Sequence, residues 1–339
     1  MLLGTPGNGS LPLAVGFAGM LQCEGTITDE GGCGMCKACR KTNTWTHPDV
    51  HFSYPTVGTN AVSTDFLKQW RSALNEHPYM DVQHWLQRLD AENKQGNITT
   101  AECNAIIKKL SLKTFEGRYK ILIMWLPEYL GKEGNRLLKL IEEPPENTIF
   151  ILVAENADLI LNTILSRCQL IKTETLRDEE IAEGLLRKTD ISEEQAKHIA
   201  FLASGDFGAA LQMAENADQD YAVQLLEWLR KCWRGNGVEM VQWTEQFAQT
   251  GRERQKQFLQ YGLHFLREML LLVTTGSIQL RLPASRLVTA QNMAKVMDFE
   301  KIGALTALFN ENIGYIERNA NPKILFLNTS IQINKILKQ

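Results

Sequence analysis

The chain has 339 residues, 44% hydrophobic and 22% charged, which allows two to three domains of about 150 residues and excludes disorder, a collagen-like repeat and a small disulfide scaffold. Lys plus Arg total 36 against 39 Asp plus Glu, a net charge of −3, so the basic excess with which a protein grips a phosphate backbone unaided is missing. No apolar run reaches the roughly 18 to 20 residues of a bilayer span and no basic n-region precedes a hydrophobic stretch, which predicts a cytoplasmic protein without membrane contact.

Over residues 1–172 short apolar runs alternate with helical patterns, predicting an α/β domain whose parallel sheet carries helices on both faces. The expected strands are a stub at Leu2-Leu3, then Val50 to Tyr54, Ile121 to Leu126, Thr148 to Ala154 and Gln169 to Lys172. Ile121 to Leu126 and Ile149 to Val153 are uninterrupted apolar runs, the mark of central strands covered on both faces.

Between the first stub and the first helix lies Gly4-Thr5-Pro6-Gly7-Asn8-Gly9-Ser10-Leu11. A working P-loop has the pattern G-x-x-x-x-G-K-[ST], in which backbone amides cradle phosphates, Lys reaches the β and γ phosphates and Ser/Thr holds magnesium. Gly4, Gly7 and Gly9 keep the shape, but Ser10 stands at the Lys position and Leu11 at the magnesium hydroxyl. The loop reads as vestigial, or by itself as a plain tight turn.

Cys23, Cys33, Cys36 and Cys39 follow as C-x9-C-x2-C-x2-C among Gly25, Gly31, Gly32 and Gly34. Four thiolates satisfy tetrahedral Zn2+, two-residue gaps let the chain fold back around one ion, and a closed set of four makes the metal structural. An iron–sulfur cluster is a weaker rival and a metal-free knuckle the bland one. Cys103, Cys168 and Cys232 read as small buried hydrophobes.

Residues 58–98 fit no strand pattern, and Asp65 to Leu74 and Asp81 to Leu89 predict a helical insertion that ends in the polar loop Glu92 to Asn97. Thr99-Thr100-Ala101-Glu102 predicts a capping box opening a helix with Ile106, Ile107 and Leu110 on one face. In Ile121-Leu-Ile-Met-Trp125-Leu126-Pro127-Glu128, Trp125 and Leu126 occupy the positions where a Walker-B strand carries its acidic pair. A helix from Gly134 through Ile141 is expected to stop near Pro144-Pro145.

Beyond Lys172 helices take over. Ser192-Glu193-Glu194-Gln195 predicts a second capping box before Ala196, Ile199, Ala200 and Ala203, giving a small helical domain at 173–215. Long amphipathic segments at Leu225 to Trp233, Phe258 to Val273 and Ile302 to Ile316 then predict an all-α bundle at 216–339. The aromatic and basic residues at Trp228 to Arg234 and Arg252 to Arg254 read as core aromatics beside a solvated charged edge.

Arg118-Tyr-Lys120, the run Asn135 to Thr148 containing Glu142-Glu143-Pro144-Pro145, and Ser166-Arg167-Cys168 resemble the AAA+ clamp-loader family over about residues 1–215. The inserted cysteine cluster, His47-Pro48-Asp49 and the altered loop are similar to its non-hydrolysing members. The resemblance implies a subunit without a functional ATP site that helps load a sliding clamp on primed DNA. Its partners would be the ATPase motor subunits, the delta subunit and the clamp, with DNA held through the assembled complex. It also implies that Arg167, flanked by Ser166 and Cys168, is presented in trans as an arginine finger to a neighbour's ATP, where an always-charged planar fork neutralises transition-state charge.

Three departures stand out. Gly208 replaces a nucleotide-sensing arginine, the upstream helix and most of the first strand common in the family are expected to be absent, and the 58–98 insertion is long and without a role. Two rival functions are an active AAA+ motor subunit, which needs the Lys and acidic pair absent here, and a zinc-dependent DNA-binding module, which the charge of −3 disfavours.

Overall fold

The computed structural model describes residues 1–29, 31–91, 94–215, 221–275 and 297–338. Two compact units divide the chain, one comprising residues 1–181 with 203–211, the other 182–202 with 212–339.

The first unit is built on a five-stranded parallel sheet in the order β2-β3-β4-β1-β5: β1 Leu2–Leu3, β2 Val50–Ser53, β3 Lys120–Trp125, β4 Thr148–Ala154 and β5 Ile171–Lys172. Every residue of β3 is buried, as its apolar run requires, whereas β4 buries only its last four. The strands start within two residues of expectation, β3 one position early because Lys120 joins the ladder opposite Thr148. Its buried ammonium closes the end of α5 (Thr100–Leu110) by donating to the Leu110 and Leu112 carbonyls.

Helices cover both faces, in keeping with the AAA+-like α/β core. Helix α1 (Ser10–Gln22) presents Ala14, Val15 and Ala18 to one apolar cluster with Phe52, Ile121, Ile123 and Val153, while Ile106 and Leu110 of α5 join Leu122, Met124 and Leu152 in the other. The expected box at Thr99 is half formed. Thr99 Oγ1 accepts the Glu102 N–H, but the buried Glu102 carboxylate turns away to the N–H and hydroxyl of Ser63. The helix expected from Gly134 is a 3-10 stretch (Pro127–Leu137) with a break at Gly131, and regular helix holds only over α6 (Leu138–Glu142), ending before the prolines as their sterics demand.

The insertion packs onto the sheet. A short 3-10 turn (Ser63–Phe66) leads to α3 (Leu67–Glu76), and Asp81 caps α4 (Val82–Arg88) by accepting the His84 N–H. These helices carry Trp70 and Trp85, both fully buried, against Tyr54 and Trp125; Tyr54 and Trp70 stack at 4.0 Å, and Trp85 donates its indole N–H to the Pro55 carbonyl at 2.7 Å. Each such ring buries 150–250 Å² or so, making this quartet a large share of the local hydrophobic stabilisation. Glu92 and Asn93 of the expected polar loop lie outside the described residues.

Every regular element among the described residues after β5 is a helix, beginning with α8 (Asp178–Lys188), α9 (Glu193–Ala203) and α10 (Phe207–Glu215), and the described part of the second unit is helices and their connections. The capping box at Ser192 is complete, Gln195 N–H donating to Ser192 Oγ and Ser192 N–H to Gln195 Oε1. Helices α11 (Tyr221–Arg234), α12 (Gly237–Phe247), α13 (Arg252–Thr275), α14 (Phe299–Glu317) and α15 (Pro322–Lys338) enclose one aromatic core. Trp228 is its centre, stacked on Trp243 at 4.9 Å and donating its indole N–H to Ser330 Oγ. Trp228 therefore belongs to the core, and Trp233 is exposed. No helix among the described residues is long and apolar enough to cross a membrane.

Candidate functional site

The sequence singles out three groups of residues, and the first unit holds all of them. The cysteine cluster closes on itself: the sulfurs of Cys23, Cys33, Cys36 and Cys39 all lie within 4.8 Å of one another, with Cys33 and Cys39 4.0 Å apart. A tetrahedral ion with Zn–S bonds of about 2.3 Å sets its sulfurs roughly 3.8 Å apart. All seven cysteines are free thiols, so no disulfide competes for these four.

Backbone N–H groups point at the sulfurs. Gly25 and Cys33 donate to Cys23 Sγ, Cys36 to Cys33 Sγ and Cys39 to Cys36 Sγ. Such donors favour thiolates: the Cys33 N–H leads in holding the Cys23 thiol down, and the Cys39 N–H brings Cys36 to about 6. Burial instead pushes Cys39 up to about 12, so its thiolate needs a cation beside it. Gly25 is required because a Cβ there would lie 2.8 Å from Cys33 Sγ. The donor set, spacing and electrostatics fit a four-sulfur structural metal site. Of the other three cysteines, Cys103 and Cys232 are buried and Cys168 only half-buried, a partial correction to the reading of all three as buried.

The glycine loop keeps a P-loop position, after β1 and before α1, with Gly9 in a left-handed conformation at the helix start. Its polar groups turn inward: Ser10 Oγ donates to Asn8 Oδ1 at 2.7 Å and lies 2.8 Å from Thr173 Oγ1, which also accepts from Asn8 Nδ2. The cavity among Gly4, Gly7, Gly9, Ser10, Tyr79 and Glu155 measures about 20 Å³, room for about one water molecule.

The remnant of the Walker-B strand is likewise occupied. Trp125 is buried in the aromatic quartet, Leu126 is buried with φ of 56°, and Glu128 Oε1 accepts the N–H groups of Glu155 and Asn156 at 2.5 and 2.8 Å. Burial, followed by the charges of Glu128, Asp81 and Asp206, raises the Glu155 carboxyl to about 8. The loop therefore faces acidic side chains, Glu155 in its lining and Asp206 beside Gly7, where a phosphate-binding site presents cations.

Arg167 sits elsewhere. It follows α7 (Asn162–Leu165) and precedes β5, which pairs in parallel with β1 (Leu2 opposite Ile171), so it lies where the strands begin, whereas the glycine loop lies where β1 ends. Its guanidinium is exposed, donating from Nε and Nη2 to Glu142 Oε2 (3.1 and 3.0 Å) and from Nη1 to the Thr163 carbonyl at 2.8 Å. Ser166 is exposed beside it, its hydroxyl donating to the same carbonyl. Arg167 is thus remote from the chain's own loop and held by the Glu142 of Glu142-Glu143-Pro144-Pro145.

Sequence reasoning gave no structural role to two residues, Asp49, read only within His47-Pro48-Asp49, and Tyr79. Asp49, nearly fully buried, accepts N–H groups from Phe115, Glu116 and Gly117 at 2.6 to 2.9 Å; burial alone would raise its carboxyl, but the three donors hold it below the usual range. Tyr79 lines the cavity at the glycine loop, and the unusual Gly208, whose Cβ would meet the Tyr79 carbonyl, was the available signal for it.

A profile of the family described as DNA polymerase III, delta subunit, matches residues 1–177. DNA polymerase III subunit delta' of Escherichia coli K12 is 26% identical over 208 residues, 61% of this chain and 52% of that protein. DNA polymerase III subunit gamma of Buchnera aphidicola from Acyrthosiphon pisum is 25% identical over 223 residues, 64% of this chain and 51% of that one. The chain spans about half the length of the curated relatives it matches. A solved gamma subunit-related protein of Thermotoga maritima aligns over 99% of this chain and 94% of its own at 13% identity and a TM-score of 0.40. With its profile covering more than half of the residues, the chain belongs to the DNA polymerase III delta subunit family, a distant AAA+ clamp-loader-related group.

Proposed function

We propose that this chain is a delta-prime-like, non-hydrolysing subunit of a bacterial DNA polymerase III clamp loader. It helps place the sliding clamp on primed DNA and supplies Arg167 in trans to the ATP of a neighbouring motor subunit. The observation that carries this reading is a polarity within one domain: the chain's own glycine loop leaves a cavity of only about 20 Å³ lined by the acid Glu155, while an exposed Ser166-Arg167-Cys168 arginine lies at the opposite end of the parallel sheet. An arginine so placed cannot serve its own loop, but it can reach a nucleotide held by another subunit.

In this reading residues 1–172 form the AAA+ domain, 173–215 a lid and 216–339 a collar for ring assembly, with Zn2+ held by Cys23, Cys33, Cys36 and Cys39 as a structural ion. The net charge of −3 suits a subunit that meets DNA only through the assembled ring. The test is reconstitution: the purified chain is expected to bind no ATP, to co-assemble with motor and delta subunits, and to be required for clamp loading. ATP turnover by the chain alone would favour the motor-subunit reading, and steeply salt-dependent DNA binding by it would favour the DNA-binding module.

A further inference from the structure

The insertion between β2 and α5 has a job at the glycine loop. Pro78, Tyr79 and Met80, which join α3 to α4, line the small cavity there. Tyr79 Cε1 lies 3.3 Å from where a Cβ on Gly9 would be, and its ring meets Phe207 edge-on at 4.8 Å. Phe207 returns the contact, its N–H donating to the Gly7 carbonyl at 3.1 Å.

The main chain is as close as the ring. A Cβ on Gly208 would fall 2.3 Å from the Tyr79 carbonyl oxygen, nearer than real Cβ atoms come, and Gly208 has no left-handed φ that would otherwise call for glycine. Glycine is needed at 208 because Tyr79 is there. The residue that replaces an expected arginine and the insertion without a role are two sides of one contact.

We propose that Tyr79 is an internal occupant of the nucleotide pocket, filling its mouth with side chain and main chain and joining the loop to residues 203–211 without any ligand. The proposal rests on the non-hydrolysing reading of the loop and gives that reading a physical cause. An arginine at 208 and the Tyr79 main chain compete for the same space, so a nucleotide-sensing side chain and this plug exclude one another.

The test is hydrogen–deuterium exchange on the isolated full chain as wild type, Tyr79→Ala, Tyr79→Phe and Gly208→Ala, each with and without millimolar ADP and magnesium. Tyr79→Ala and Gly208→Ala are expected to speed exchange at residues 7–11 and 206–211 about tenfold or more while β3 and β4 keep their protection. Tyr79→Phe, which keeps the ring and the main chain, is expected to retain far more protection than Tyr79→Ala, and ADP to leave wild type unchanged. The proposal is overturned if Tyr79→Ala changes neither segment, if protection falls equally across β3 and β4, or if ADP protects the wild-type loop. Failure of clamp-loader membership registers differently, as failure to co-assemble with partner subunits, which exchange in the isolated chain does not measure.

Discussion

Replacing Arg167 with alanine separates architecture from trans-activation, because the structure fixes how little the side chain contributes to the chain's own stability. Its two donors to Glu142 converge on one oxygen, a weaker arrangement than a two-oxygen fork, and both partners are solvent-accessible. An exposed pair of this kind is worth roughly 0.2–1 kcal/mol against the 5–15 kcal/mol or so that keeps a domain folded, so Arg167→Ala leaves the chain folded and able to assemble. An arginine finger, by contrast, accelerates phosphoryl transfer by roughly 1,000- to 100,000-fold. The assay is ATP hydrolysis stimulated by clamp and primed DNA in a reconstituted loader, with assembly matched by sedimentation and thermal midpoints measured on each variant. The expected result is a rate loss at the sites served by this subunit with an unchanged sedimentation profile. Glu142→Gln, which removes the ion pair but keeps the arginine and its bond to the Thr163 carbonyl, should fall far less. An unchanged rate for Arg167→Ala at matched assembly refutes the finger, and a loss that tracks a fall in thermal midpoint refutes the stability argument.

Cys36→Ser is expected to abolish stoichiometric zinc, measured by elemental analysis, and to lower the melting of the first unit while sparing the second; metal retained at full stoichiometry counts against four-sulfur ligation. Glu155, raised to about 8 by burial and then by Glu128, Asp81 and Asp206, holds a proton in the folded state that the unfolded chain has released. Stability therefore falls as pH rises from the ordinary carboxyl range to about 8, by up to about 1.4 kcal/mol per pH unit, and Glu155→Gln should remove that slope in denaturation series run between pH 5 and 8. Asp49 has the opposite sign: its lowered carboxyl contributes stability above the usual carboxylate range that is lost as pH falls through the folded value. Asp49→Asn opposes an amide donor to at least one of three N–H groups and should cost about 2–4 kcal/mol in chemical denaturation; a change below about 1 kcal/mol means the Phe115–Gly117 turn holds itself.

What the sequence made legible was local. The strands β3 and β4 were visible because a strand covered on both faces must be apolar along its length, and the cysteine knot because its ligands fall within seventeen consecutive residues. The complete box at Ser192 was visible for the same reason, and the incomplete one at Thr99 shows the limit: Ser63, distant in sequence, offers the Glu102 carboxylate two donors where the helix start offers one. Trp70 and Trp85 give no sign in their own segments that they meet Tyr54 and Trp125 across the sheet. Tyr79 was hidden for the same reason, its partners Gly9, Phe207 and Gly208 lying far away on both sides in the chain.

These long-range contacts change the meaning of the altered nucleotide motifs. Ser10, Trp125 and Gly208 look in sequence like three separate losses, each reversible by one substitution. In the fold they adjoin a single packed body: Ser10 is bound to Asn8 beside Thr173, Trp125 is wedged against Trp70 of the insertion, and Gly208 is pressed on the main chain of Tyr79 from the same insertion. A lysine at 10 would enter a cavity of about 20 Å³ lined by Glu155, and carboxylates at 125 and 126 would replace buried apolar side chains with charges that nothing there pairs. The insertion thus couples the losses, because the aromatic residues that anchor it and the tyrosine that closes the loop arrive on one segment. Restoring ATP chemistry would require removing that segment from the sheet, which is why the loop retains the outline of a phosphate cradle while its chemistry has passed to an arginine at the other end of the domain in the trans-acting reading proposed here.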